Sequence, residues 1–166
     1  MPPFTLNGKS LTVPVGTTIL EAALAAGVEI PHYCYHPGLP VEGSCRMCQV
    51  EVERSPKLLV ACATPVAEGM VVRSVSEKVE KARQSVLEFY LLNHPLDCPI
   101  CDKGGECPLQ DYTMRFGPGG SRYAEPKVKR VKHRKIGPYI VFDAERCILC
   151  SRCVRFCRDV VGTGEL

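Results

Sequence analysis

The stretch His94-Pro95-Leu96-Asp97-Cys98-Pro99-Ile100-Cys101-Asp102-Lys103-Gly104-Gly105-Glu106-Cys107 places one imidazole and three thiols on a single loop, spaced H-x3-C-x2-C-x5-C. Pro95 lacks a backbone donor and disfavours helical geometry at His94, so the helix before it should stop near Asn93. Gly104-Gly105 lets the backbone turn back between Cys101 and Cys107. Four sulfur or imidazole donors at chelating distance are the ligand count of a zinc site or of an iron-sulfur cluster, and spacing alone leaves both open.

Outward from this loop lie two more groups. Cys34, Cys45, Cys48 and Cys62 follow C-x10-C-x2-C-x13-C, and Cys147, Cys150, Cys153 and Cys157 follow C-x2-C-x2-C-x3-C. All 11 cysteines of the 166 residues therefore fall into three clusters. A disulfide scaffold would need an oxidising compartment and usually an even cysteine count. The segment Met1-Pro2-Pro3-Phe4-Thr5-Leu6-Asn7 has neither a basic nor an apolar signal region, so the expected compartment is the reducing cytoplasm.

Composition narrows the function classes. Hydrophobic residues at 45% and charged residues at 23% describe a folded globular chain. Its most apolar stretch, 58–67, is broken by Pro65 and is too short to cross a bilayer, so membrane contact is expected only through a partner. A net charge of +3 is too small for bulk attraction to nucleic acid. The basic run 127–135 has no aromatic residues for stacking bases; it reads as a solvated arm or as one packed on an acidic face of another subunit. No G-x-G-x-x-G or Walker A sequence is present, and a nucleophilic cysteine needs a base and an orienting group whereas nearly every cysteine here is already claimed by a metal set, so no catalytic residue is assigned. His32, His36 and His133 lack clustered thiols and read as surface or hydrogen-bonded residues.

The expected fold class is α+β. Phe4-Thr5-Leu6 and Leu11-Thr12-Val13 flank Asn7-Gly8, a hairpin-turn dipeptide. Thr18 with Glu21 forms a capping box for a helix whose stripe is Leu20, Ala23 and Leu24, stopped by Gly27. Strands are expected at 48–53 and 70–73, separated from the helix by an irregular Pro/Gly loop. A second capping box, Ser74 with Glu77, should open a helix through Val79, Ala82, Val86 and Tyr90. Tyr139-Ile140-Val141-Phe142 reads as a strand leading into the third cysteine group, with a helix beginning near Cys153.

The 94–107 run, the long first gap of the first group and the segment Cys147-Ile148-Leu149-Cys150-Ser151-Arg152-Cys153-Val154-Arg155-Phe156 together resemble, in one order, the large iron-sulfur subunit family of bacterial NADH:quinone oxidoreductase (respiratory complex I). The resemblance implies a β-grasp two-iron ferredoxin-like domain over 1–75 and a His-Cys four-iron segment over 76–117. A linker and basic arm over 118–138 would then lead to the start of a bacterial-ferredoxin-like four-iron domain over 139–166. It implies a 2Fe-2S cluster on Cys34, Cys45, Cys48 and Cys62, and a 4Fe-4S cluster on His94, Cys98, Cys101 and Cys107. A second 4Fe-4S cluster, expected only in the full-length protein, would sit on Cys147, Cys150 and Cys153, with its fourth ligand beyond the chain end, so that the chain is expected to be an N-terminal piece. Cys157 is set apart, because the fourth cysteine of such a run serves another cluster.

By the same resemblance the chain is an electron-transfer subunit, relaying electrons from a flavin/NADH-binding subunit through other iron-sulfur subunits of the peripheral arm toward quinone. It would lie on the cytoplasmic face of the inner membrane through the complex, with no substrate-converting site of its own. An iron-sulfur subunit or N-terminal region of an NAD-linked or iron-only hydrogenase shares this order. A zinc-held interaction or RNA-binding module is the reading from another class. Arg46, Arg152 and Arg155, beside ligand positions, would favour a more negative reduced state, or are surface charges.

Overall fold

Asn7 and Gly8 both take positive φ, 50° and 82°, which gives the tight turn joining β1 (Pro3–Leu6) to antiparallel β2 (Lys9–Thr12). The computed structural model describes all of Met1–Leu166. It forms two compact units, Met1–Arg83 with Cys150–Leu166, and Gln84–Leu149.

In the first unit, Thr18 caps α1 (Ile19–Ala25) through the expected box. Its hydroxyl accepts from the Glu21 amide, while the Glu21 carboxylate accepts from the Thr18 amide at 2.8 Å. Gly27, at φ 69°, closes the helix; its amide donates to Leu24 and that of Val28 to Ala23, satisfying carbonyls the helix would leave free. The expected apolar stripe is met in part: Leu20 and Ala23 are buried as expected, joined by Ile19 and Ala22, whereas Leu24 is 46% exposed.

β3 (Gln49–Val52), β4 (Leu59–Val60) and β5 (Val71–Arg73) complete a five-stranded sheet of order β2-β1-β5-β3-β4. β1 and β5 run parallel and the other pairs antiparallel. Phe4, Leu6, Val50 and Val72 from the strands bury against Ile19, Leu20 and Ala23 of α1, and Cys48 and Cys62 belong to the same core.

α2 (Glu77–Asn93) ends where Pro95 requires, but its start differs from the sequence expectation. Ser76, not Ser74, caps it, its hydroxyl accepting from the Val79 amide at 3.3 Å. Ser74 is buried and already committed: it exchanges two 2.8 Å hydrogen bonds with the Asn7 side chain, and its carbonyl accepts from Arg83. A residue held from three sides cannot also serve a helix end.

The second unit contains the remainder of α2, α3 (Pro108–Phe116) and a hairpin of β6 (Arg134–Ile136) with β7 (Ile140–Phe142). The basic run is not a free arm within this unit. Lys127 Nζ donates to the Leu91 and Leu92 carbonyls at 2.6 and 3.2 Å, a cation at the negative end of α2, and the Val128 amide donates to Asn93 Oδ1. Lys132 pairs with Asp97 and, at 2.9 Å, with Glu145. In the first unit, α4 (Arg152–Arg155) continues as a π-helical turn over Phe156–Val161. No helix is long and apolar enough to cross a membrane.

Candidate metal centres

The first cysteine group is assembled by the sheet. Cys48 stands immediately before β3, and the pairing of Gln49 with Val60 brings the chain back, so that the Ala61 amide donates to the Cys48 carbonyl at 3.0 Å. Cys62 follows on a 3-10 turn, Ala61–Ala63, whose next residues are tied to the start of α1 by Ile19 N–H to Thr64 O and Val66 N–H to Thr17 O. The loop 30–48 supplies Cys34 and Cys45. Arg46 sits at φ 58° inside the Cys45–Cys48 turn, and Gly43 at φ 67° lies just before it.

All four thiols are inside the protein: Cys34, Cys48 and Cys62 are 0% exposed and Cys45 is 3%. They contact one another. Hydrogen bonds from Cys45 and Cys62 hold the Cys34 thiol well below the ordinary range, and a bond from Cys62 lowers Cys48. The donors move the other way, Cys45 upward through its bond to Cys34 and Cys62 through its bonds to Cys34 and Cys48. The Tyr33 amide also points at Cys45 Sγ, 3.4 Å away. Four buried sulfurs sharing protons, with a backbone donor aimed at one, fit a group that takes thiolates and displaces the protons.

His94, Cys98, Cys101 and Cys107 all line one cavity of about 600 Å³, together with Lys127 and Arg146. Pro108 begins α3, so Cys107 stands at its N-cap. Cys98 opens a 3-10 turn, Cys98–Ile100, after which Gly104 folds the loop over the Cys98 and Cys101 carbonyls. Burial, then Lys127, lowers the His94 pKa and keeps the imidazole neutral, the form with a lone pair to give.

In the third group, Leu149 at φ 54° turns its amide to Cys147 Sγ at 3.4 Å. Ser151 at φ 56° precedes α4, which carries Cys153. Cys157 lies in the π-helical turn, where its carbonyl accepts from the Gly162 and Thr163 amides. Of the three basic residues beside ligand positions, Arg155 is 1% exposed and hence not a surface charge. Sequence reasoning overlooked Tyr33 and the left-handed Arg46, Leu149 and Ser151, which are residue types that carry no signal for that conformation. His32 and His36 keep their plain roles, His32 Nδ1 lying 2.8 Å from the Ile30 carbonyl and His36 Nδ1 accepting from Gly38.

Three family models match in succession: a 2Fe-2S iron-sulfur cluster binding domain over 3–77, an NADH-ubiquinone oxidoreductase-G iron-sulfur binding region over 83–122, and the ferredoxin-like domain of NADH-quinone oxidoreductase subunit 3 over 137–166. The G subunit of NADH-quinone oxidoreductase from Rickettsia bellii is 50% identical over 162 residues, 98% of this chain. The chain belongs to the family of NADH-quinone oxidoreductase G subunits. It thus carries iron-sulfur-binding domains of the 2Fe-2S and 4Fe-4S kinds. The mitochondrial 78 kDa subunit of NADH-ubiquinone oxidoreductase from Candida albicans is 51% identical over 162 residues. The chain spans 24% of the Rickettsia protein and 22% of the Candida one. A solved structure, an NAD+-reducing [NiFe]-hydrogenase in its H2-reduced state, superposes with a TM-score of 0.87 at 36% identity, covering 98% of this chain and 68% of that one.

Proposed function

We propose that this chain is an electron-transfer module of an NADH:quinone oxidoreductase, receiving electrons from a flavin/NADH-binding subunit and passing them through further iron-sulfur subunits toward quinone. The observation that carries it is the convergence of Cys34, Cys45, Cys48 and Cys62, four thiols at 0–3% exposure in the core of a small mixed sheet. The sheet order and its single helix support a β-grasp reading of this domain.

These four thiols would hold a 2Fe-2S cluster, and His94, Cys98, Cys101 and Cys107 a 4Fe-4S cluster. Cys147, Cys150 and Cys153 would hold three corners of another, its fourth ligand coming, by the family resemblance, from downstream sequence. Each cluster, when bound, supplies a one-electron couple that changes charge with little rearrangement. The protein's part is to exclude water from the first site, to keep His94 neutral, and to aim backbone amides at sulfur. In a bacterium the module would lie on the cytoplasmic face of the inner membrane, reaching it only through partner subunits.

The hydrogenase context is the second reading, supported by the 0.87 superposition. Identities of 50 and 51% to the quinone-linked subunits, against 36% to the hydrogenase, favour the first. Anaerobically purified protein should be brown, with iron and acid-labile sulfide and both two-iron and four-iron paramagnetic signals on reduction. Stoichiometric zinc without sulfide would sink the proposal and leave the zinc-held module.

A further inference from the structure

Arg155 is the largest fully buried side chain in the molecule, at 1% exposure. A guanidinium so placed has surrendered its hydration and must find acceptors inside the protein. Those it finds are mostly uncharged. Nη2 donates to the Cys34 carbonyl and, at 3.4 Å, to the Cys150 carbonyl; Nη1 donates to the Pro40 carbonyl and Nε to Ser151 Oγ at 3.3 Å. The carboxylate paired with it is Glu42, 3.8 Å away and 37% exposed, and Asp159, which pairs with Arg158, also feels its charge, so its countercharge is distant and shared with solvent and another cation. At the other end of the same short helix, Arg152 Nη2 donates to the Tyr35 carbonyl at 2.8 Å. The two arginines grip the loop 34–42 at Cys34, Tyr35 and Pro40.

We propose, on the ligand sets argued above, that Arg155 is a positioning residue that fastens the Cys34 loop to Cys150 through one guanidinium, and that its incompletely neutralised charge raises the potential of the group held by Cys34. Two features of arginine make this specific. Its planar fork offers donors on three nitrogens at fixed angles, so one side chain can tie three separated carbonyls; a lysine ammonium concentrates its donors on one nitrogen at the end of a flexible stem. Its charge is permanent, and in a dry surrounding it acts strongly on any nearby group that becomes more negative on reduction. One residue therefore sets both the spacing of the two cysteine-bearing segments and the electrostatics beside them.

The test uses anaerobically purified protein with its clusters in place, as wild type and as Arg155→Gln, Arg155→Lys and Glu42→Gln. Redox titration of the two-iron signal should give a lower midpoint for Arg155→Gln and a higher one for Glu42→Gln, where the charge is left less neutralised. Arg155→Lys should stay near the wild-type midpoint yet lose the two-iron cluster to a chelator several-fold faster, with faster amide exchange over 34–42. Unchanged midpoints in both glutamine variants would overturn the electrostatic role, and wild-type chelator and exchange rates in Arg155→Lys would overturn the positioning role. Should Arg155→Gln fail to fold, Glu42→Gln decides the first and Arg155→Lys the second. A wild type without iron or sulfide would instead refute the cluster reading itself, and amide exchange over 34–42 in the metal-free variants would still decide whether Arg155 holds the loop.

Discussion

A β-carbon on Gly104 would lie 2.8 Å from the carbonyl oxygen of Cys98, and 3.1 Å from that of Cys101. Both obstacles are backbone, so neither can swing aside; the loop itself would have to open. Gly104→Ala should therefore lower the occupancy of the four-iron site proposed on His94, Cys98, Cys101 and Cys107 while leaving the two-iron spectrum untouched. Iron analysis with paramagnetic resonance on the reduced protein checks this, and full occupancy of both sites would reject it.

His94→Ala should remove or alter one four-iron signal and spare the two-iron one. The imidazole lines the same cavity as the three thiols and is held neutral by burial. Because a neutral donor leaves its cluster one negative charge short of an all-thiolate site, His94→Cys should retain iron at a lower potential. Survival of every signal unchanged in His94→Ala would show that another group is the ligand.

Cys62→Ala should abolish the two-iron spectrum. Cys62 is 0% exposed and could pass for a core residue, but its thiol bonds both Cys34 and Cys48. A core thiol would tolerate alanine with the spectrum intact, so absorbance of the reconstituted protein distinguishes the two roles.

Thr18→Ala should cost about 1 kcal/mol of stability, the usual loss for a helix cap. The Thr18 amide, then its hydroxyl, lowers the Glu21 carboxyl below its ordinary value. A carboxyl lowered on folding contributes stability that is complete above its unfolded pKa, about 4.3, and is lost as pH falls through the folded value. Chemical unfolding from pH 6 downward should show a shallower acid dependence in Glu21→Gln than in wild type; equal slopes would mean the box contributes nothing.

In a protein that also supplies the fourth ligand, Cys157→Ser should leave all cluster signals as they are, whereas Cys153→Ser should lose one. Cys157 sits in a π-helical turn past α4, and its backbone carbonyl, which the substitution keeps, is what that turn uses. Loss of a four-iron signal in Cys157→Ser would make it the fourth ligand.

The meeting of His94, Cys98, Cys101 and Cys107 at one cavity was legible because it is written in short spacings: one loop, and no distant contact, brings the four side chains together. The Asn7-Gly8 turn, the Thr18 box and the end of α2 before Pro95 were legible for the same reason, each being decided by steric or hydrogen-bonding rules that act within a few residues. Local rules failed where a distant partner competed. Ser74 looked like a cap, yet Asn7, 67 residues away, had already taken its hydroxyl and amide, and the cap passed to Ser76.

Sequence by itself thus determined which short segments group thiol and imidazole side chains, since these spacings lie within a loop or a turn. Only the tertiary structure decided that Cys62 reaches Cys48, through the register of β3 on β4, and that Arg155 turns inward to the Cys34 carbonyl. The physical reason is that burial of the sheet's apolar face fixes strand register over the whole domain. A guanidinium's place, likewise, depends on carbonyls contributed from more than a hundred residues away.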